Sequence, residues 1–278
     1  MSARQPTVPT YDGQADTYDE RVGPPEEACA EIARSVRSIG DVRPGDLIVD
    51  AGAGTGRIGA HLASPPTRYI GFDLSTEMLE VFRQRQGPDA GDAVLVQADG
   101  NENWPIRDGA VRLVFSSRAV HLMGAERVVR EVFRLASPKG ATFLIGRVQR
   151  RPESVKARMR DEMRRRLSQR GLAGRETRAN RTLILEAFSA GGASRIEAGT
   201  LSQWEVTTSP RHSLESWQRK EGLAGMTTPA AMKREVLDDL AAWAVTEFGG
   251  LDVAMESVEA YVVEGVRIPA TSGSEADQ

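Results

Sequence analysis

Apolar positions along this chain follow two periods. Short apolar runs, each the length of a strand, alternate with stretches whose apolar residues recur every three or four positions. The runs lie at 47–50, 68–73, 93–98, 111–117 and 141–148. Helical patterns fill the gaps. One follows residue 56 (Ile58, Leu62), one follows Ser75, and one covers ERVVREVFRLASPKG, which starts at Glu126. A further helix is predicted over Pro24–Ile39. It has prolines at its start, Glu26 and Glu27 in its first turn, and Gly40 at its end. Strand–helix alternation from 47 to 148 predicts a parallel sheet with helices on both faces. In such a sheet a ligand lies beyond the carboxyl ends of the strands.

Past residue 150 the pattern changes. A helix is predicted over Glu153–Arg170, where Met159, Met163 and Leu167 repeat every four residues. Another spans Arg178–Ala190 and is closed by Gly191 and Gly192. Ser194–Thr208 reads as a sixth strand and Val258–Ile268 as a seventh. The stretch 209–250 between them is mostly helical and long for a strand connection, which points to a functional insertion.

The chemistry concentrates where strands end. Leu47-Ile48-Val49-Asp50 runs into Ala-Gly-Ala-Gly-Thr-Gly, with glycines at 52, 54 and 56. Glycine permits a sharp bend and a close approach of ligand to backbone. The spacing departs from the dinucleotide fingerprint G-x-G-x-x-G, because the third glycine falls one residue early. The second strand ends on Asp73, twenty-one residues after Gly52, and the third leads to Asp99. The fourth leads into Ser116-Ser117-Arg118-Ala119-Val120-His121.

Over roughly residues 45–148 these motifs resemble the class I S-adenosylmethionine (SAM) dependent methyltransferases. The resemblance implies an α/β fold: a seven-stranded, mostly parallel Rossmann-like sheet with helices on both faces, an antiparallel last strand and a helical cap. It divides the chain into an N-terminal lid segment (1–45), a SAM-binding core (46–149), cap insertions (150–193 and 208–257), last core strands (194–207 and 258–268) and a flexible tail (269–278). SAM is the implied cofactor and S-adenosylhomocysteine (SAH) its product. Asp50, Gly52, Gly54, Thr55 and Gly56 would hold the amino acid end of SAM. Asp73 would accept from the ribose hydroxyls, Leu74 and Met78 would pack on adenine, and Asp99 would accept from the adenine amine beside Gly100. Ser116, with Ser117, would face the sulfonium. A tyrosine of the N-terminal segment, Tyr18 before Tyr11, would fold over the cofactor, and Tyr11 is also a candidate substrate contact. His121 is the candidate base, with a structural histidine as the alternative, and His212 is a second candidate. Arg118 and Trp217 are candidate substrate residues. Relatives often carry Asp where this chain has Arg112, a peripheral position.

Composition narrows the options. Hydrophobic residues make up 40% of the 278 and charged residues 27%, with a net charge of −3. That balance offers no general attraction to nucleic acid or membrane. One cysteine, Cys29, excludes an intramolecular disulfide and a cysteine metal cluster, and no metal is expected. No apolar run is long enough to span a membrane, and the polar start MSARQPTVPT lacks a signal core, so cytoplasmic residence is expected. Residues 150–181 hold twelve Arg or Lys against four acids, a local charge of +8. The expected activity is methyl transfer to an O, N or C atom of a small organic molecule, secondary metabolism being one setting. Two alternatives stand: an RNA methyltransferase gripping phosphates through 150–181, and a SAM-fold protein without transfer. Monomer and homodimer are both open.

Overall fold

The structure, a computed structural model, describes residues 23–86, 93–172 and 177–271. The predicted first helix is present as α1 (Glu26–Ile39), followed by β1 (Leu47–Ala51), α2 (Gly59–Leu62), β2 (Arg68–Asp73), α3 (Thr76–Arg85) and β3 (Ala93–Gln97). Next come β4 (Val111–Ser117), a 3-10 turn (Val120–Leu122), α4 (Ala125–Leu135) and β5 (Ala141–Arg150). The remainder is α5 (Val155–Gln169), α6 (Thr177–Ala190), β6 (Ser194–Thr208), α7 (Pro210–Gln218), β7 (Gly222–Leu223), β8 (Met226–Thr227), α8 (Ala230–Phe248) and β9 (Met255–Ile268).

Seven strands form one mixed, mostly parallel sheet in the order β3-β2-β1-β4-β5-β9-β6. The pairs β1–β2, β1–β4, β2–β3 and β4–β5 are parallel. From β1 the chain winds outward to β3, then returns to place β4 on the other side of β1. That reversal opens a crevice at the strands' carboxyl ends, the usual ligand position in such sheets.

The chain divides into two compact units. The first holds the described parts of 1–147, 178–202 and 261–278, and the second the described parts of 148–177 and 203–260. In the first unit, Val49, Phe72, Val114 and Phe143 from the sheet pack with Val128, Val132 and Leu135 of α4. Ile184, Leu185 and Phe188 of α6 join this core, and Phe188 stacks 5.1 Å from Phe143. The apolar face of α6 therefore belongs to the first unit, whereas the sequence boundaries assigned 150–193 to the cap. On other elements of the unit, Cys29, Ile32 and Val36 of α1 and Met78, Leu79 and Phe82 of α3 are buried.

The second unit has its own core. Met159, Met163 and Leu167, the stripe foreseen in sequence, pack with Leu214, Leu223, Val236, Leu237 and Leu240. Several of its basic residues are paired within the unit. Glu162 meets Arg165 and Arg166, Asp239 meets Arg166 and Arg170, Arg158 pairs with Glu247, and buried Glu259 takes Arg150 and Lys156. The β7–β8 hairpin was not foreseen. Its turn residues Ala224 and Gly225 have φ of 52° and 76°, as a two-residue hairpin requires. No helix among the described residues is long and apolar enough to cross a membrane.

Candidate functional site

The cleft lies in the first unit, where β1 runs into its glycine turn. Gly52 and Ala53 both donate their N–H to the carbonyl of Phe72 at 2.9 Å, tying the turn to the end of β2. The three glycines, all at positive φ, serve different ends. A Cβ on Gly52 would lie 2.2 Å from that of Ala119, and one on Gly56 2.2 Å from the Phe82 ring. Those two positions are small because protein packs there. A Cβ on Gly54 would meet nothing within 4 Å, although Gly54 lines the cleft. The space over Gly54 is thus free for a ligand.

Asp50, next to last in β1, is almost fully buried, 2% exposed, and lines the cleft. Its Oδ2 accepts from the Tyr69 hydroxyl at 2.8 Å. Its Oδ1 is buried with no hydrogen-bond partner among the described residues. Burial pushes the carboxyl up to about 7, and nearby Asp73 adds to the rise against the Tyr69 hydrogen bond. Burial next to that carboxylate also holds the Tyr69 hydroxyl well above its ordinary value. A buried oxygen without a partner beside a cleft is a costly arrangement that a cationic or N–H ligand would relieve.

Asp73 ends β2 and is fixed by two backbone donors. Gly54 N–H reaches Oδ2 at 2.9 Å and Ser75 N–H reaches Oδ1 at 3.0 Å. Ser75 in turn caps α3 by accepting from Met78 N–H, which sets Leu74 and Met78 against the cleft. Asp99 follows β3, and its Oδ1 accepts from both the backbone and side-chain N–H of Asn101. Gly100 is small for packing, since a Cβ there would lie 2.7 Å from the Met123 side chain. Asp50, Asp73 and Asp99 line one cleft, whose empty space, its open mouth included, is about 1050 Å³.

At the end of β4 the structure departs from expectation at Ser116. That side chain is fully buried and donates to the carbonyl of Ala51 at 2.8 Å, so it does not face the cleft. Its neighbour Ser117 lines the cleft and shares a 2.6 Å hydrogen bond with the hydroxyl of Tyr261. Arg118 lines the cleft from a left-handed conformation, φ 60°. Thr55 also lines it. His121 does not. It is half-buried in the 3-10 turn while Ala119, Leu122 and Met123 face the cleft. His212 and Trp217 belong to the second unit, where His212 is exposed on α7 and Trp217 packs against that unit's core. Tyr11 and Tyr18 lie outside the described residues. Arg112 binds Asp41 and the carbonyls of Lys139 and Gly140, away from the cleft.

Cleft residues that sequence reasoning passed over include Pro24, Arg57, Ile58 and Asn101. Arg57 had a signal, a cation directly after the glycine turn. Asn101 had another, a polar residue two positions past Asp99.

Residues 48–140 match the methyltransferase domain family. A methyltransferase-like protein of Schizosaccharomyces pombe, itself uncharacterized, is 31% identical over 103 residues, which cover 36% of this chain and 37% of that protein. The malonyl-[acyl-carrier protein] O-methyltransferase of Yersinia pestis is 29% identical over 49% of this chain and 48% of its own length. The chain thus spans half or less of the curated relatives it matches. Among solved structures, the YcgJ protein of Bacillus subtilis superposes with a TM-score of 0.53 at 18% identity, covering 87% of this chain and 98% of that one. The [4+2]-cyclase SpnF superposes with a TM-score of 0.52 at 18% identity, covering 86% and 80%. These two likenesses concern the fold.

Proposed function

We propose that this chain, which carries a class I methyltransferase domain over residues 48–140, binds SAM in the cleft and transfers its methyl group to a small organic molecule. The observation that carries the reading is the convergence of Asp50, Gly54, Asp73 and Asp99 on one cleft. The residues suit the cofactor on two counts. The unsatisfied Oδ1 of Asp50 would take the ammonium of the amino acid end, and the open face of Gly54 would admit that end against the backbone. Asp73, held by Gly54 and Ser75, would accept from the ribose hydroxyls. Asp99 would accept from the adenine amine, with Leu74 and Met78 against the ring.

When bound, SAM supplies an electrophilic methyl group on a good leaving group. The protein's task is then to orient and to exclude water, and orientation contributes up to about 7–11 kcal/mol in favourable cases. The cleft suits that task, with the β4 end (Ser117, Arg118, Ala119) adjoining the glycine turn. Since His121 lies outside the lining, the reading does not rest on a histidine base. The pairing of Arg158, Arg165, Arg166 and Arg170 with Glu247, Glu162 and Asp239 argues against an RNA grip through 150–181.

The test is incubation of purified protein with methyl-labelled SAM and extracts of the native cell. Label in a small molecule supports the proposal. Label in RNA, or SAM bound and never consumed, contradicts it.

A further inference from the structure

At the end of β4 the cleft wall carries a hydroxyl whose donor direction is set by the fold. Tyr261 of β9 is fully buried, and its phenol stands over Gly146 of β5, where a Cβ would overlap the oxygen. Among the described residues the Tyr261 hydroxyl has one hydrogen-bond partner, Ser117 Oγ at 2.6 Å. Burial holds the phenol well above its ordinary pKa, so it keeps its proton. Each of the two hydroxyls has one proton to give, and the pair can be written two ways. If Ser117 donates, the Tyr261 proton is sealed in the core with no acceptor, a costly arrangement. If Tyr261 donates, the Ser117 proton turns elsewhere, and Ser117 lines the cleft. Burial therefore selects Tyr261 as the donor. A serine that accepts from a phenol is also the stronger donor, because hydrogen bonds in a chain polarise one another. A phenylalanine would fill nearly the same space with no hydroxyl to satisfy, so packing alone does not call for the phenol.

Strand order sets what that serine can reach. β4 lies beside β1, on the side away from β2 and β3. Asp50 stands opposite Phe115, two residues before Ser117. The glycine turn is tied the other way. Gly52 and Ala53 donate to the Phe72 carbonyl and Gly54 to the Asp73 carboxylate, both at the end of β2. The groups that suit the cofactor thus stand on β1 and toward β2 and β3, and Ser117 borders the part of the cleft they leave. We propose that Ser117, with Tyr261 as its positioning residue, donates to an unprotonated oxygen of the acceptor, so that the substrate presents a carbonyl or enolate oxygen to the β4 wall. The proposal rests on the SAM-binding reading above.

The test titrates two probes of one shape into protein saturated with SAH. Acetophenone presents a carbonyl oxygen, and α-methylstyrene carries a methylene in its place. Wild type should bind acetophenone at least about fivefold tighter, the worth of one hydrogen bond. Ser117→Ala leaves the Tyr261 hydroxyl buried without a partner, so the double variant Ser117→Ala/Tyr261→Phe, which lacks both hydroxyls, is measured beside it. Both should cut the preference below about twofold while SAH affinity stays within about threefold. Tyr261→Phe alone leaves Ser117 free to turn and should lower the preference to about two- to threefold. A merely structural loss would weaken both probes alike and leave the preference untouched. The proposal is overturned if SAH-loaded wild type binds the two probes equally or binds neither, or if the preference survives in the double variant. A preference unchanged in Tyr261→Phe overturns the positioning role. A loss of SAH affinity beyond threefold in the double variant also overturns the proposal, since Ser117 then serves the cofactor. Failure of wild type to bind SAH at all overturns the cofactor reading itself, and is told apart because it appears before either probe is added.

Discussion

Binding of SAH should expel a proton from Asp50, by an amount the structure sets. In the unliganded cleft this carboxyl is pushed up to about 7, chiefly by burial. Docking the ligand's ammonium on Oδ1 would favour the ionised form. With a pKa of about 7, Asp50 carries about 0.8 proton at pH 6.5 and about 0.1 at pH 8. Calorimetry in buffers of different ionisation enthalpy counts the protons released. The expected values are about 0.8 per SAH at pH 6.5 and about 0.1 at pH 8, and Asp50→Asn should release none at either. The same shift governs stability. The folded pKa exceeds the ordinary 3.8, so the folded chain holds this proton where the unfolded chain has lost it. The contribution is whole below pH 4 and is lost as pH rises through 7. About three units at ~1.36 kcal/mol each give about 4 kcal/mol, to be read from denaturant midpoints of the unliganded protein. Equal proton counts at the two pH values, or counts unchanged in Asp50→Asn, would refute the reasoning.

The glycines should separate by role. Gly52→Ala forces a left-handed alanine against Ala119 and should cost about 2–5 kcal/mol in chemical denaturation. Gly54→Ala meets no protein atom and should cost about 1–2 kcal/mol, yet weaken SAH by more than about tenfold in calorimetry. Ser116→Ala removes a buried hydrogen bond and should lower stability by about 1 kcal/mol with SAH affinity unchanged. His121→Ala should leave SAH affinity unchanged and turnover within about threefold in a labelled-methyl assay, because the residue lies outside the cleft lining. A large effect in either of these last two, on affinity or on turnover, would show that the cleft wall at the end of β4 is drawn wrongly.

Much of the fold was legible because its signals are local. Each strand of the first unit that ends at an acid announces itself by an apolar run and the polar residue that stops it. Asp50, Asp73 and Asp99 share one edge of the sheet because they stand at or just past the ends of three parallel strands, and strand–helix alternation predicts parallel strands. What stayed hidden depends on facing and on distant partners. Successive strand residues point to opposite faces, so Ser116 and Ser117 look interchangeable in sequence, yet only Ser117 reaches the cleft. In a 3-10 turn, residues three apart share a face. Ala119 and Leu122 line the cleft together, and His121 between them falls on another side. Gly52 and Gly56 looked like ligand positions, but their reasons, Ala119 and Phe82, lie 67 and 26 residues away in the chain. The β7–β8 hairpin escaped because two-residue strands carry no period, and Ala224-Gly225 is a weak turn signal.

A crystal structure of the protein grown with SAH tests the central claim most directly. The account predicts the nucleoside in the cleft of the first unit, its ribose hydroxyls on the Asp73 carboxylate, its adenine amine toward Asp99 and its ammonium on Asp50 Oδ1. SAH bound at another place, or a cleft that stays vacant at saturating SAH, would contradict it.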